Sequence, residues 1–218
     1  MDCTCKYNRR VDTTKPSTPV RRHTAKGSAT RNRIVDAAAE LMLTRGVGGT
    51  TLDDIGAAAR VGRSQLYHYF TDKDELVRDV VRRQTEAVIT HQGPEFGALD
   101  SWGAWQRWRD GVVDGTHAEG CVGGCPLGSL STELAERDDA ARELVAAGFA
   151  RWRQGFRDGI RTMRERGILG PDADPDALAT TVMVALQGGL LLAQVQRDVA
   201  PLAIGLDAAI ATVRRHAA

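Results

Sequence analysis

Thr50 to Leu76 reads TTLDDIGAAARVGRSQLYHYFTDKDEL, and the folding of this stretch decides the architecture around it. Leu52, Ile55 and Ala59 fall on one face of a short helix. Thr51 stands ahead of it as a cap, its hydroxyl able to accept from a free backbone N–H, with Asp54 in the reciprocal capping-box position. Val61-Gly62 supplies a turn. Arg63 to Phe70 then forms a second short helix, with Leu66 and Phe70 as its apolar pair four residues apart. Asp72 caps a third helix, with Glu75 three residues on and Lys73 in the first turn. Two short helices joined by a Gly-containing turn have the layout of a helix-turn-helix, whose second helix lies in the DNA major groove. Spacing alone leaves a plainer reading beside it, because any helical protein can hold such a pair.

The wider stretch Arg33 to Leu76, about a fifth of the chain, narrows the choice. It carries IVDAAAEL from Ile34, G-x-x-x-TTLDDI from Gly46 and LYHYFTDKDEL from Leu66. These segments resemble, without a gap, the DNA-binding domain of TetR-family transcriptional regulators. Gly62 departs from the pattern, standing where many relatives place a helix-capping Ser; Gly is a tolerable cap. The resemblance implies DNA contacts at Arg63, Ser64, Gln65, Tyr67 and His68. Their chemistry fits: Arg63 can bond guanine in bidentate fashion, Gln65 can pair with adenine, and Tyr67 and His68 can reach phosphate or a thymine methyl. Thr50, Thr51 and Lys73 sit at helix N-termini, where amides and the helix dipole favour a phosphate, and Arg33 is a further phosphate candidate. For each one alone, a solvated surface side chain remains the alternative.

Composition sets the bounds. The 218 residues are 42% hydrophobic and 26% charged, ordinary for a globular protein long enough to bury a core. No apolar run approaches the ~20 residues that span a bilayer, and no apolar signal core begins the chain, so a cytoplasmic protein without a membrane partner is expected. Alternating strand patterns are absent. The fold class is therefore all-α: an N-terminal three-helix helix-turn-helix DNA-binding domain over 28–75 and a C-terminal helical ligand-binding and dimerisation domain over 76–218. Residues 1–27 hold seven Lys/Arg against Asp2 and Asp12, a charge of +5 within a net +1, and form an arm expected to be disordered without DNA. Such an arm can neutralise phosphate or enter the minor groove, or its charge can be incidental.

Ahead of the helix-turn-helix, Thr30 can cap a helix running to about Arg45, with Ile34, Ala37, Ala38, Leu41 and Met42 as its buried stripe and Gly46 as its C-terminal stop. Lys73 to His91 reads as a longer helix that, in the family, links the DNA head to a ligand-binding body. Trp102, Trp105 and Trp108 fan across roughly 200° of a helix, so core packing is expected of at least one. Phe149, Trp152 and Phe156 share a face of a helix from about Asp138 to Arg166. Clustered aromatics in so aromatic-poor a chain suggest the walls of an apolar cavity. Trp105, Trp108, Cys125, Phe149, Trp152, Phe156, Met183 and Gln187 are its candidate lining, each with core filler as the alternative. Asp174 caps a nearly all-apolar helix to about Arg197, in which Gly188-Gly189 permits close helix approach, and a last helix runs from Pro201 to about His216. The resemblance implies that these two helices pair with their copies to make a homodimer suited to a palindromic operator in double-stranded DNA.

Four cysteines form Cys3-x-Cys5 and Cys121-x-x-x-Cys125. Cys125 stands beside Pro126 at a helix start, where the dipole can lower a thiol pKa, or where it can be a buried residue of no special reactivity. The expected function is a ligand-responsive regulator of the repressor type, released from its operator by a small apolar or aromatic molecule of unknown identity. A thiol- or metal-responsive regulator acting through Cys125, with Cys121 or His117, is the alternative. No paired carboxylates, HExxH, GxSxG or phosphate-binding Gly loop points to an enzyme, and neither cofactor nor metal is expected.

Overall fold

The computed structural model describes residues 25–218, so the arm expected over the first residues lies outside it except for 25–27. Those three are helical. Helix α1 spans Ala25–Arg45 and begins nearly two turns earlier than expected. Thr30 is therefore not a cap: it is buried inside the helix, and its hydroxyl donates back to the Lys26 carbonyl at 3.2 Å.

Helix α2 covers Leu52–Ala58 behind the expected capping box: Thr51 Oγ1 accepts from the Asp54 amide at 3.1 Å, and the Asp54 carboxylate accepts from the Thr51 amide at 3.0 Å. The turn after it differs in detail. Arg60 takes the left-handed conformation, φ 53°, while the Val61 amide donates to Gly56 O at 2.9 Å. Gly62, at φ −72°, is an ordinary extended N-cap for α3, Arg63–Tyr69. The glycine that matters for packing is Gly56, where an added Cβ would stand 3.3 Å from Val61 O. Helix α4, Lys73–Thr90, starts as expected: Asp72 accepts from the Glu75 amide at 2.7 Å. Seven-residue helices are unstable alone, so α2 and α3 depend on burial. Ile34, Ala38 and Met42 of α1, Ile55 of α2, Leu66 of α3 and Leu76 and Val80 of α4 form that core, with Phe70 beneath it.

After α4 the chain turns through Gly93 and a 3-10 helix, Pro94–Ala98, into α5, Trp102–Ala118. A short α6, Pro126–Leu134, leads to the long α7, Asp139–Glu165. Gly159 of α7 lets the preceding segment lie on its backbone, since a Cβ there would come 2.6 Å from Leu99 O. Helices α8, Pro175–Gln196, and α9, Ala200–Arg214, complete the body. Gly189 brings them together, with Leu202 Cα 2.8 Å from where its Cβ would be. Contrary to the sequence reading that no run is long enough, α8 has the length and composition to cross a bilayer, with mean hydropathy 1.6. Leu178, Val182 and Leu186 spend that apolarity in the core, against α7 and α9. Val184, Leu191 and Val195 do not: they stand 66%, 60% and 72% exposed, beside Ile204 of α9 at 69%.

Candidate functional site

Helix α3 presents its polar side chains outward. Arg63, Ser64, Gln65, Tyr67 and His68 are exposed, and of the helix only Leu66 is fully buried. Arg63 lies 3.8 Å from the Asp53 carboxylate at the start of α2, an exposed pair worth little in water, so the guanidinium is available to a base edge. The His68 ring packs edge-on against Tyr69 at 5.1 Å. Thr51 is exposed at the α2 N-terminus, but its hydroxyl is committed to the capping box, accepting from the Asp54 amide and donating to the Asp54 carboxylate, which leaves it no proton for a phosphate.

Three other expected contacts have structural occupations. Thr50 is fully buried and its hydroxyl donates to Gly46 O at 2.8 Å, so its side chain closes the α1–α2 turn and cannot touch phosphate. Arg33 donates Nε–H to Ala59 O at 2.8 Å, tying α1 to the end of α2. Lys73 donates to Val47 O at 2.6 Å, which leaves two of its ammonium protons to offer a phosphate. The same loop is held from the other side by Glu133 of α6, whose carboxylate accepts from the Val47 amide at 2.9 Å and the Gly48 amide at 3.3 Å. The α1–α2 loop is thus clamped between Lys73 at the start of α4 and Glu133 of α6.

In the body, a cavity of about 550 Å³ lies among α4, α5, α6, α7 and α8, roofed by the end of α1 and the Cys121–Cys125 loop. Its size suits a small molecule. The wall is apolar on the sides given by Val88, Val112, Leu186 and Leu190, with Thr116, Gln194 and Arg197 as polar interruptions. Cys125 is buried on this wall and caps α6, its sulfur accepting from the Gly128 amide at 3.2 Å. Of the two readings of this thiol, the buried residue without a lowered pKa is the one the surroundings favour. Burial pushes the pKa up, against the pull of the Gly128 and Leu127 amides and the Gln187 side chain, because taking a thiolate out of water costs more than these donors return. Cys121 is a second free, buried thiol on the same wall.

Of the eight residues expected to line a ligand site, the structure brings Cys125 and Trp152 to the wall. Trp105, Trp108 and Phe156 lie off it, in an aromatic core. The rings of Trp105 and Trp108 meet edge-to-face at 5.9 Å, and those of Trp108 and Phe156 at 4.9 Å. Both indoles are spoken for, Trp105 by Leu99 O and Trp108 by the Gln92 side chain. Phe149 stacks on Trp152 at 6.4 Å, while Met183 and Gln187 stand behind Cys125. Sequence reasoning followed rarity of residue type and so missed the i, i+4 runs that do face the cavity, Val112 with Thr116 and Leu186 with Leu190 and Gln194. Among the described residues no three His, Cys, Asp or Glu side chains converge as metal ligands.

With this geometry the chain matches known proteins over both its parts. Residues 34–80 match the family model for bacterial regulatory proteins of the tetR family, and 106–209 match that for the tetracyclin repressor-like C-terminal domain. The HTH-type transcriptional repressor DhaR of Mycobacterium sp. (strain GP1) is 26% identical over 193 residues, covering 85% of this chain and 87% of that protein. The transcriptional regulator AcuR of Cereibacter sphaeroides is 26% identical over 177 residues, or 80% and 81% of the two chains. The crystal structure of a TetR transcriptional regulator from Chloroflexus aurantiacus J-10-FL superposes with a TM-score of 0.73 at 25% identity, over 89% of this chain and 98% of that one. Exposed recognition helix, buried helical body and both family matches agree: the chain is a TetR-family transcriptional regulator and not an enzyme.

Proposed function

We propose that this regulator is a repressor that binds a palindromic operator as a homodimer and leaves it when a small apolar or aromatic molecule occupies the body cavity. The observation that carries this reading is the span of α4. At one end Leu76, Val77 and Val80 pack into the core under α3; at the other, Ala87 and Val88 help to wall the cavity. A molecule that fits the cavity only when α4 shifts would reorient both recognition helices, and a mismatch with the half-site spacing would release DNA. It need only prefer the released state by a few kcal/mol. The relative DhaR, named a transcriptional repressor, supports the sign of the regulation. The apolar face of Val184, Leu191, Val195 and Ile204 supports the dimer.

The test is a mobility-shift titration on the DNA beside the chain's own gene, with Tyr67→Ala as the variant. Tyr67 is exposed and packs little, so the variant should stay folded and bind at least about tenfold more weakly, the scale of one or two lost contacts. Wild-type affinity in the variant would remove α3 from the DNA interface. A second reading, response through thiols, draws on the two free cysteines of the cavity wall. The raised pKa of Cys125 argues for the first reading, and loss of oxidant-driven release in Cys125→Ser would argue for the second.

A further inference from the structure

Six helices wall the cavity, and one stretch of the wall belongs to none of them. Residues 121–125 run between α5 and α6 and are the longest non-helical run among the described lining residues. They stand at the mouth, where Val122 and Gly123 are exposed while Cys121 and Cys125 are buried on either side. The run is thus one chain thick between cavity and solvent. Among the described residues, Val122, Gly123 and Gly124 form no backbone hydrogen bond, whereas the rest of the wall is held by helix ladders. The backbone is sharply bent, with φ of 67°, 54°, 86° and 59° at Gly120, Cys121, Gly123 and Gly124. Glycine adopts such angles freely, but Cys121 carries a Cβ and is strained there. Two bonds hold that strained residue: its amide donates to Thr116 O at 2.9 Å, and its carbonyl accepts from Arg197 Nη1 at 3.0 Å. Arg197 is the C-cap of α8, and Gln194, a turn earlier, lies against Gly124, where an added Cβ would stand 2.3 Å from Gln194 Oε1.

Resting on the reading that the cavity holds the effector, we propose that residues 120–125 are a flap that hinges to admit and release it, with Arg197 as the latch. Opening breaks one charge-assisted hydrogen bond and lets the Cys121 backbone relax, while the glycines on both sides of it turn without steric cost. No helix has to unwind. The rest of the rim cannot move so cheaply, because Leu43, His91 and Glu119 sit on the ends of α1, α4 and α5. Opening also bares Cys121, which is 4% exposed beneath the latch.

The test uses the full chain with Cys3→Ser and Cys5→Ser, which leaves Cys121 and Cys125 as its thiols. Neutral 4,4′-dithiodipyridine reports them: the thiolate attacks its disulfide, a mixed disulfide forms, and one 4-thiopyridone leaves and is read by absorbance. Labelling through the flap should be insensitive to urea well below the unfolding midpoint, since a local opening exposes little surface. Arg197→Met should label about tenfold faster at an unchanged urea midpoint, the effect of one lost charge-assisted bond on the opening equilibrium. Arg197→Lys, which keeps a donor, should fall between. Labelling of the unaltered flap that rises with urea as steeply as global unfolding overturns the inference, whether or not the variants fold well. Wild-type labelling rates in Arg197→Met overturn the latch. The fluorescent apolar probe N-phenyl-1-naphthylamine separates this from the effector reading: it should leave Arg197→Met about tenfold faster, with similar affinity. A weaker affinity at an unchanged association rate would make Arg197 a ligand contact and overturn the latch. Failure of the probe to bind overturns the effector reading and this inference with it, whereas binding with unaltered thiol rates overturns this inference alone.

Discussion

Gly62 stands at the N-cap of α3 with open space where a side chain would be and a φ of −72° that any residue can adopt. Gly62→Ser would supply the missing cap acceptor and restrict the unfolded chain. It should raise stability by about 0.5–1 kcal/mol in urea denaturation, with no change of slope. A few residues on, the Thr71 amide and hydroxyl donate to the Glu75 carboxylate at 2.8 and 2.7 Å and hold its pKa below the usual glutamate value. A carboxylate depressed on folding contributes stability that is complete above the unfolded pKa, here near 4.5, and is lost as pH falls through the folded one. The acid limb of a stability–pH curve below pH 4.5 should therefore flatten in Glu75→Gln, which should also be the less stable protein at pH 7. Caps of this kind were legible in the sequence because donor and acceptor lie within four residues of each other. The occupations of Thr50 and Arg33 were not, since a buried threonine and an arginine bonded 26 residues away depend on tertiary packing. Arg60 also escaped notice, because the left-handed turn fell on a non-glycine residue beside a glycine that does not need it.

Helix α6 joins the two halves of the molecule. Its first residues, from the Cys125 cap to Ser129, border the cavity, while Glu133 near its other end accepts two amides of the head's α1–α2 loop. An added Cβ at Gly46 would stand 2.9 Å from that carboxylate, which shows how close the clamp is. Glu133→Ala should leave helix content unchanged and free the loop: amide exchange at Val47 should quicken roughly tenfold, the effect of removing one partly buried acceptor. Operator affinity should fall with it. Glu133→Gln, whose amide oxygen can still accept, should recover part of both. Strong periodicity in long stretches made the helices readable, and α4, α7 and α8 end within a residue or so of where their caps and breakers place them. Which face of each helix meets the cavity could not be read, because α5 and α7 turn their largest aromatics toward each other.

For the molecule as a whole, the unpartnered face of α8 and α9 is the feature that a second copy would cover. Charges at its centre should prevent that without touching the core. Leu191→Glu combined with Val195→Glu should sediment as a folded monomer and lose most operator affinity, because burying two carboxylates in an apolar interface costs several kcal/mol. A double variant that remains dimeric would move the interface elsewhere. The apolar content of α8 was plain in the sequence, but its division between core and surface was not, for a helix apolar nearly all round names no face.

The anchoring of α3 has another bearing. Leu66 fixes this helix from within and its reading side chains take no part in the core, so replacing them should scarcely disturb folding. On the proposal that α3 reads the operator, preference for a target and the ability to fold would be encoded by separate residues. Duplicated copies of such a gene could drift toward new target sites through substitutions at positions 63, 64, 65, 67 and 68, while selection for a stable protein acts elsewhere in the chain.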